Sequence, residues 1–192
     1  MNAIHGLAGS FIGIFIPIYL LRKNLDPANV FGFYLVYAIT ILIFFFLANY
    51  IVGIVGLRKT VFLGYPFLFL YFFFLYTIDQ YGLPLYVLAV VNAFQASFYW
   101  FPIHIWLTNT SRQDSIGNDL GKFFATSQMV GLFAPIIAAF VVLFLGFKAL
   151  FLVTGIIYLI SAIPLFYLPE FPFREKIHIV GFIKLLKEYP QY

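Results

Sequence analysis

The sequence contains no cysteine, and Asp, Glu, Lys and Arg together make up only 9% of its 192 residues. The missing cysteines exclude disulfide frameworks, thiolate zinc sites, iron–sulfur clusters and cysteine nucleophiles. A soluble domain carries about 25% charged residues, so this chain has too little polar surface to cover a water-facing globule. Hydrophobic residues reach 64% and the mean hydropathy is +1.00, which indicates a protein embedded in a lipid bilayer.

The few charged residues leave six long gaps between them. The gaps are 1–21, 27–57, 60–78, 80–111, 123–147 and 149–169. Each holds the ~18–20 residues needed to cross about 30 Å of hydrocarbon as a helix. Their apolar residues do not alternate with polar ones, which favours helices over β-barrel strands. We therefore predict an all-α integral membrane domain of six transmembrane helices at 1–168. A cytoplasmic tail or the start of a linker follows at 169–192.

Basic residues are distributed unequally between alternate loops, which predicts the orientation. With a cytoplasmic N-terminus, eight of the basic residues lie inside and three outside. The outer ones are Arg22, Lys23 and Lys148, and the inner ones are Arg58, Lys59, Arg112, Lys122, Arg174, Lys176, Lys184 and Lys187. Cytoplasmic loops carry the excess of Lys and Arg in membrane proteins. Both termini are therefore predicted to be cytoplasmic, in the plasma (inner) membrane.

Two short internal matches indicate a repeat. Residues 15–19 and 100–104 both read aromatic, apolar, Pro, Ile, polar ring, which pairs span 1 with span 4. Residues 56–59 match 146–149 through a shared glycine followed by basic residues, which pairs span 3 with span 6. Three spans per copy is an odd number, so the second copy is inverted in the membrane. This 3+3 inverted repeat is typical of secondary transporters.

At these residues the chain resembles the N-terminal six-helix half of the major facilitator superfamily, over nearly its whole length. The loop before span 3 reproduces the end of that family's loop motif, and span 5 keeps the proline and small residues of its antiporter-type pattern. Small residues let helices approach closely, with ordinary packing as the alternative interpretation, and prolines permit bending. Gating and helix-packing roles are thus predicted for Gly13, Pro17, Gly56, Arg58, Lys59, Pro102, Gly121, Gly131, Ala134, Pro135 and Ala138.

Polar side chains inside the spans are the candidates for binding, because each costs free energy unless it is paired or faces water. Asn92, Gln95 and Tyr99 follow an i, i+3, i+7 spacing on one face of span 4. The predicted substrate-binding set is Asn92, Gln95, Tyr99, Gln128, Ser10, Tyr34 and Tyr37. The alternative is a set of hydrogen bonds between helices in a closed bundle.

Proton coupling has two candidate carriers within the spans. His5 and His104 are the intramembrane side chains that titrate near neutral pH. No carboxylate lies within any predicted span. The sequence therefore leaves three alternatives: uniport, coupling through a histidine, or an acid supplied by another half.

These patterns favour transport over catalysis. The spans hold no carboxylate pair, metal-ligand cluster or glycine-rich phosphate loop, so neither an enzyme nor a cofactor or metal is predicted. The dispersed basic residues also exclude a nucleic-acid surface. We predict a secondary transporter that moves a small solute by alternating access in the lipid bilayer. Its predicted partner is a second six-helix half, in the same chain if the sequence is truncated and otherwise in a homodimer. The alternative is a non-transporting membrane scaffold or assembly subunit.

Overall fold

The computed structural model describes residues 2–81, 84–112 and 114–167, and these residues are almost entirely helical. The helices in chain order are α1 (Asn2–Ile12), α2 (Phe15–Arg22), α3 (Pro27–Val55), α4 (Leu57–Tyr81), α5 (Leu85–Thr110), α6 (Ile116–Gly131) and α7 (Ala134–Ala162), followed by a 3₁₀ turn at Ile163–Tyr167. The prediction of an all-α membrane fold is confirmed. The predicted tail at 169–192 lies outside the described residues.

The number of separate helical segments differs from the six that were predicted. The described residues contain five segments long and apolar enough to cross a membrane: Asn2–Arg22, Pro27–Val55, Leu57–Ile78, Leu85–Thr110 and Ile116–Tyr167. The last is 52 residues long, about twice the length that one crossing requires. It contains the predicted fifth and sixth spans, which are joined without an intervening loop.

The long last segment folds back on itself at Gly146. Its backbone leaves the helical region there, at φ 82° and ψ 174°. Ser127, before this point, lies against Gly6, while Tyr158, after it, has its ring centroid 4.7 Å from that of His5. A straight helix would separate residues 127 and 158 by about 46 Å, so the two arms must run antiparallel. We call 116–145 span 5 and 147–167 span 6; α1 and α2 form span 1, and α3, α4 and α5 are spans 2, 3 and 4.

Two of the helical hairpins, between spans 2 and 3 and between spans 5 and 6, turn on equivalent glycines. Gly56, between spans 2 and 3, has φ 90° and ψ 168°, nearly the same conformation as Gly146. Positive φ at this ψ is accessible to glycine and strained for other residues. The match between residues 56–59 and 146–149 therefore corresponds to the same structural turn in each half of the repeat.

Replacement of Gly146 by Ala is expected to lower the free energy of unfolding by about 1 kcal/mol, because a Cβ strains the positive-φ backbone. A Cβ at Gly146 would meet no atom of the described residues within 4 Å, so crowding among them does not contribute. Gly121 has equally open space but lies inside helix α6. Gly121→Ala is thus the matched control, and it should be neutral or stabilising. Equal melting temperatures for the two variants in detergent would show that the turn carries no strain.

The packing of the spans follows the symmetry of the predicted repeat. Helix α1 packs against α6 and α7, α5 packs against α3 and α4, and α4 packs against α7. Exchanging span 1 with 4, 2 with 5 and 3 with 6 converts the pairs of spans 1 and 5 and of spans 1 and 6 into those of spans 4 and 2 and of spans 4 and 3. The same exchange leaves the pair of spans 3 and 6 unchanged. The 3+3 inverted repeat is therefore visible in the helix contacts as well as in the sequence matches.

Spans 1 and 5 are each broken near a proline. Helix α1 ends just before Gly13, four residues before Pro17, and α6 ends at Gly131, four residues before Pro135. A proline ring clashes with the carbonyl of the fourth residue before it, and it donates no hydrogen bond to that carbonyl. A glycine at that position can leave the helical conformation at little cost, because it has no Cβ. Pro102, which the repeat match equates with Pro17, instead lies within the continuous helix α5.

Candidate functional site

A central cavity of about 460 Å³ is bordered by residues from all six spans. Its lining on α5, from Asn92 to Trp100, lies near the middle of that helix. The volume falls within the roughly 300–1,000 Å³ typical of small-molecule sites. The lining residues are His5, Gly6, Gly9, Ser10, Ile12, Ile16, Tyr37, Leu68, Tyr71, Phe72, Asn92, Gln95, Ala96, Trp100, Phe124, Ser127, Gln128 and Tyr158.

The structure brings most of the predicted substrate-binding residues together in this cavity. Those that border it are Ser10, Tyr37, Asn92, Gln95 and Gln128.

Two predicted residues lie outside the lining. Tyr99 is only 2% exposed and packs in an apolar cluster with Val61 and Ile103. Tyr34 is exposed and contacts Phe33 edge to face, with ring centroids 5.1 Å apart. The spacing of Asn92, Gln95 and Tyr99 therefore places two side chains in the cavity wall and the third behind it.

The amides of Asn92 and Gln95 form one pair within span 4. Gln95 Nε2 donates to Asn92 Oδ1 over 3.0 Å, so the bond joins successive turns of α5. Ser97, on the same helix, has two carbonyls within reach: its Oγ lies 2.8 Å from the carbonyl oxygen of Ala93 in α5 and 3.3 Å from that of Ile41 in span 2. Its single hydroxyl proton therefore has its shorter bond within α5. Ser97 lies against span 2, whereas the amide pair borders the cavity.

His5 lies at the edge of the cavity inside a group of aromatic rings. Its ring stacks on Tyr99 with centroids 3.4 Å apart and planes within 3°, and Tyr158 contacts it edge-on. His5 Nδ1 is buried and has no hydrogen-bond partner among the described residues. His104 does not border the cavity; it is half-buried beside Trp100, with ring centroids 5.6 Å apart. The two histidines therefore differ in their access to the cavity.

Spans 1 and 5 meet at small residues on one side of the cavity. A Cβ on Gly6 would collide with the side chain of Ser127, and a Cβ on Gly131 would collide with that of Ser10. Ala134 and Ala138 are fully buried against Phe11 and its neighbours. The predicted close packing is therefore present at Gly131, Ala134 and Ala138. At Gly121 a Cβ would meet nothing within 4 Å in the described part of the chain, so its predicted packing role stays a prediction.

Several lining residues were missed by the sequence analysis. Ser127 and Tyr158 contribute hydroxyls, while Trp100 and Phe124 contribute ring faces. Ser127 stands next to Gln128 in span 5, so the same polar signal could have revealed it. Tyr158 is a polar aromatic residue in an otherwise apolar span, and its position against His5 depends on the fold-back at Gly146.

The chemistry of the lining is polar but uncharged. It offers amides, hydroxyls and aromatic faces, and its described residues include no Asp, Glu, Lys or Arg. Such groups donate and accept hydrogen bonds and stack on rings or apolar faces of a ligand.

Comparison with known proteins gives a family match over nearly the whole chain. Residues 1–185 match the family model described as Major Facilitator Superfamily. Searches of curated proteins and of solved structures return no match.

Proposed function

Because the chain belongs to the Major Facilitator Superfamily and is a membrane transporter of that type, we propose that it moves a small neutral solute through the central cavity by alternating access. Asn92, Gln95 and Gln128 supply amide contacts, and Ser10 and Tyr37 supply hydroxyls. Transport by this route accounts for a polar, uncharged cavity in the middle of an otherwise apolar bundle. Uptake by the Gln95→Leu variant, treated in the Discussion, tests it.

The amide pair of span 4 is the observation that carries this proposal. Asn92 and Gln95 bond to each other and border the cavity. Amide groups in the middle of a membrane cost free energy unless they join helices or face water and ligand. Their mutual bond leaves further donors and acceptors for a solute, since each amide can form several hydrogen bonds. A transport role therefore explains them better than a scaffold does.

The gating motion in this proposal centres on spans 1 and 4, which border the cavity from opposite copies of the repeat. Alternating access in inverted-repeat transporters rocks one set of helices against another around a fixed site. The break near Pro17 in span 1 and the one before Pro135 in span 5 provide bending points. The tight contacts of Gly6 and Gly131 keep spans 1 and 5 moving as one body.

Proton coupling is assigned to His5 rather than to His104, because only His5 borders the cavity. Solute uptake into proteoliposomes should therefore alkalinise the outer medium, and His5→Asn should abolish this proton movement. His104→Asn is the matched control and should leave it unchanged. A wild-type protein that takes up solute without any pH change would establish uniport and overturn the assignment.

Orientation is proposed from the basic residues, which the fold separates into two ends. Arg22, Lys23 and Lys148 border one recess at the end opposite the N-terminus. The excess of Lys and Arg in the other loops and the tail favours cytoplasmic termini. An impermeant maleimide applied to intact cells should therefore label Ala28→Cys and should label Lys59→Cys only after lysis. The chain has no native cysteine to interfere, and the reverse pattern would invert the topology.

A second six-helix half is the proposed partner at the cavity face. Gln128 is exposed although it lies near the middle of span 5. Lipid cannot satisfy its amide, so its surroundings must be water or protein. A second half, from the same polypeptide or from a second copy, would enclose the cavity and meet this need.

A further inference from the structure

An apolar groove of about 330 Å³ lies between spans 3 and 6, and Leu68 and Phe72 line both this groove and the central cavity. Its floor is formed by Phe72 and Gly155, and the missing side chain of Gly155 deepens it: a Cβ there would come no closer than 3.9 Å to Phe72. Its rims are Phe69 and Ile156, both largely exposed. The groove therefore opens toward the lipid hydrocarbon.

The length of the groove matches one leaflet of the membrane. Along α4 it extends from Tyr65 to Thr77, which corresponds to about 18 Å of helix. Half of a bilayer core of about 30 Å is about 15 Å. A single acyl chain lying along the groove would thus run from the membrane surface to the bilayer centre.

A basic recess of about 420 Å³ lies at the surface end of this groove. Lys148 connects the two, because it lines the recess and holds its Nζ 5.1 Å from the ring centroid of Tyr76, which lines the groove. Arg22 borders the same recess with Cζ 5.9 Å from the ring centroid of Phe147. Lys23 borders the recess too, with its Nζ 5.4 Å from the ring centroid of Tyr19. The aromatic rings thereby hold three cations at the position that a lipid headgroup would occupy.

We propose that the groove between spans 3 and 6, with Arg22 and Lys148 at its end, is a binding site for one anionic phospholipid. An acyl chain fills the apolar groove, and the headgroup phosphate lies in the basic recess. Charge complementarity selects an anionic headgroup, because Arg and Lys form charge-assisted hydrogen bonds with phosphate oxygens and a zwitterionic headgroup brings a cation of its own. The site does not depend on the transport proposal.

This site can be tested by titrating the delipidated full chain in detergent with phosphatidylglycerol and, separately, with phosphatidylcholine. Native mass spectrometry measures the amount of each lipid bound. Phosphatidylglycerol should bind more tightly. Lys148→Gln should weaken its binding about fivefold, and Lys148→Gln combined with Arg22→Gln about 25-fold. Both residues are exposed, so these changes leave the core intact. Lys59→Gln, at the opposite end of the bundle, is the matched control and should change nothing.

Separate variants test the proposed binding of the acyl chain in the groove. Gly155→Leu fills the groove and should weaken the binding of both lipids, whereas Ala139→Leu, an exposed residue outside the groove, should weaken neither. Inorganic phosphate at millimolar concentration should not displace phosphatidylglycerol. The proposal would be overturned by any one of three results. These are equal affinity for the two lipids, an effect of Lys59→Gln equal to that of Lys148→Gln, and displacement of phosphatidylglycerol by inorganic phosphate alone. Loss of lipid binding on self-association would identify a second copy of the chain as the occupant and would also overturn it.

Discussion

Replacement of Gln95 by Leu is expected to abolish solute uptake while leaving the protein folded and inserted. Leu removes the amide that borders the cavity and releases Asn92 from its only described hydrogen bond. A site built to hydrogen-bond its solute loses as much as 10⁴-fold when a buried polar partner is missing. Uptake should be measured in proteoliposomes with neutral sugars and other neutral solutes, alongside the melting temperature of each preparation.

Ser97→Ala is the matched control for the amide variant, because Ser97 is buried against span 2 and does not border the cavity. Its hydroxyl bonds within α5 over 2.8 Å, and even an interhelical hydrogen bond contributes only about 0.6 kcal/mol on average in a membrane. Ser97→Ala should therefore lower the melting temperature slightly and retain uptake, whereas Gln95→Leu should retain the melting temperature and lose uptake. Normal uptake by Gln95→Leu and by Asn92→Leu would remove these residues from the site.

Replacement of Gly131 by Val is expected to destabilise the protein by about 1–3 kcal/mol, the usual cost of overpacking. The added Cβ would collide with the side chain of Ser10 where spans 1 and 5 cross. Gly121→Val is the matched control on the same helix, because its Cβ enters open space. Chemical denaturation of both variants in detergent gives the difference in the free energy of unfolding.

A rescue experiment separates this clash from a general effect of losing the glycine. Gly131→Ala retains the collision with Ser10, and Ser10→Gly removes the colliding atoms. The double variant should recover most of the stability that Gly131→Ala loses. If the effects of Gly131→Ala and Ser10→Gly on the free energy of unfolding simply add, the role of Gly131 is not to permit the close approach of spans 1 and 5.

The sequence predicts the spans well because charged residues are confined to loops and membrane ends. Lys148 alone marks the boundary between spans 5 and 6 in the sequence, and the structure turns beside it at Gly146. The breaks are predicted less well, since three prolines suggest bends and only those near Pro17 and Pro135 occur. The residue four positions earlier explains the difference: it is glycine in both broken spans, whereas Phe98 precedes Pro102.

Helical periodicity predicts which face of span 4 is polar but not how deep each side chain lies. Asn92 and Gln95 border the cavity as their spacing indicates, whereas the ring of Tyr99 is held behind it against His5. The contribution of Tyr158 depends on the fold-back at Gly146, which brings span 6 against His5. That information resides in contacts between distant parts of the chain, and no local pattern contains it.

The central claim is that the cavity around Gln128 opens to each side of the membrane in turn. Gln128→Cys, introduced into the naturally cysteine-free chain, should be labelled by an impermeant maleimide in both right-side-out and inside-out sealed vesicles. Lys59→Cys and Ala28→Cys, at opposite ends of the bundle, should each be labelled in only one of the two, which shows that the vesicles do not leak. Labelling of Gln128→Cys in both orientations is the result predicted by alternating access. Labelling from one side only, or from neither, would contradict it.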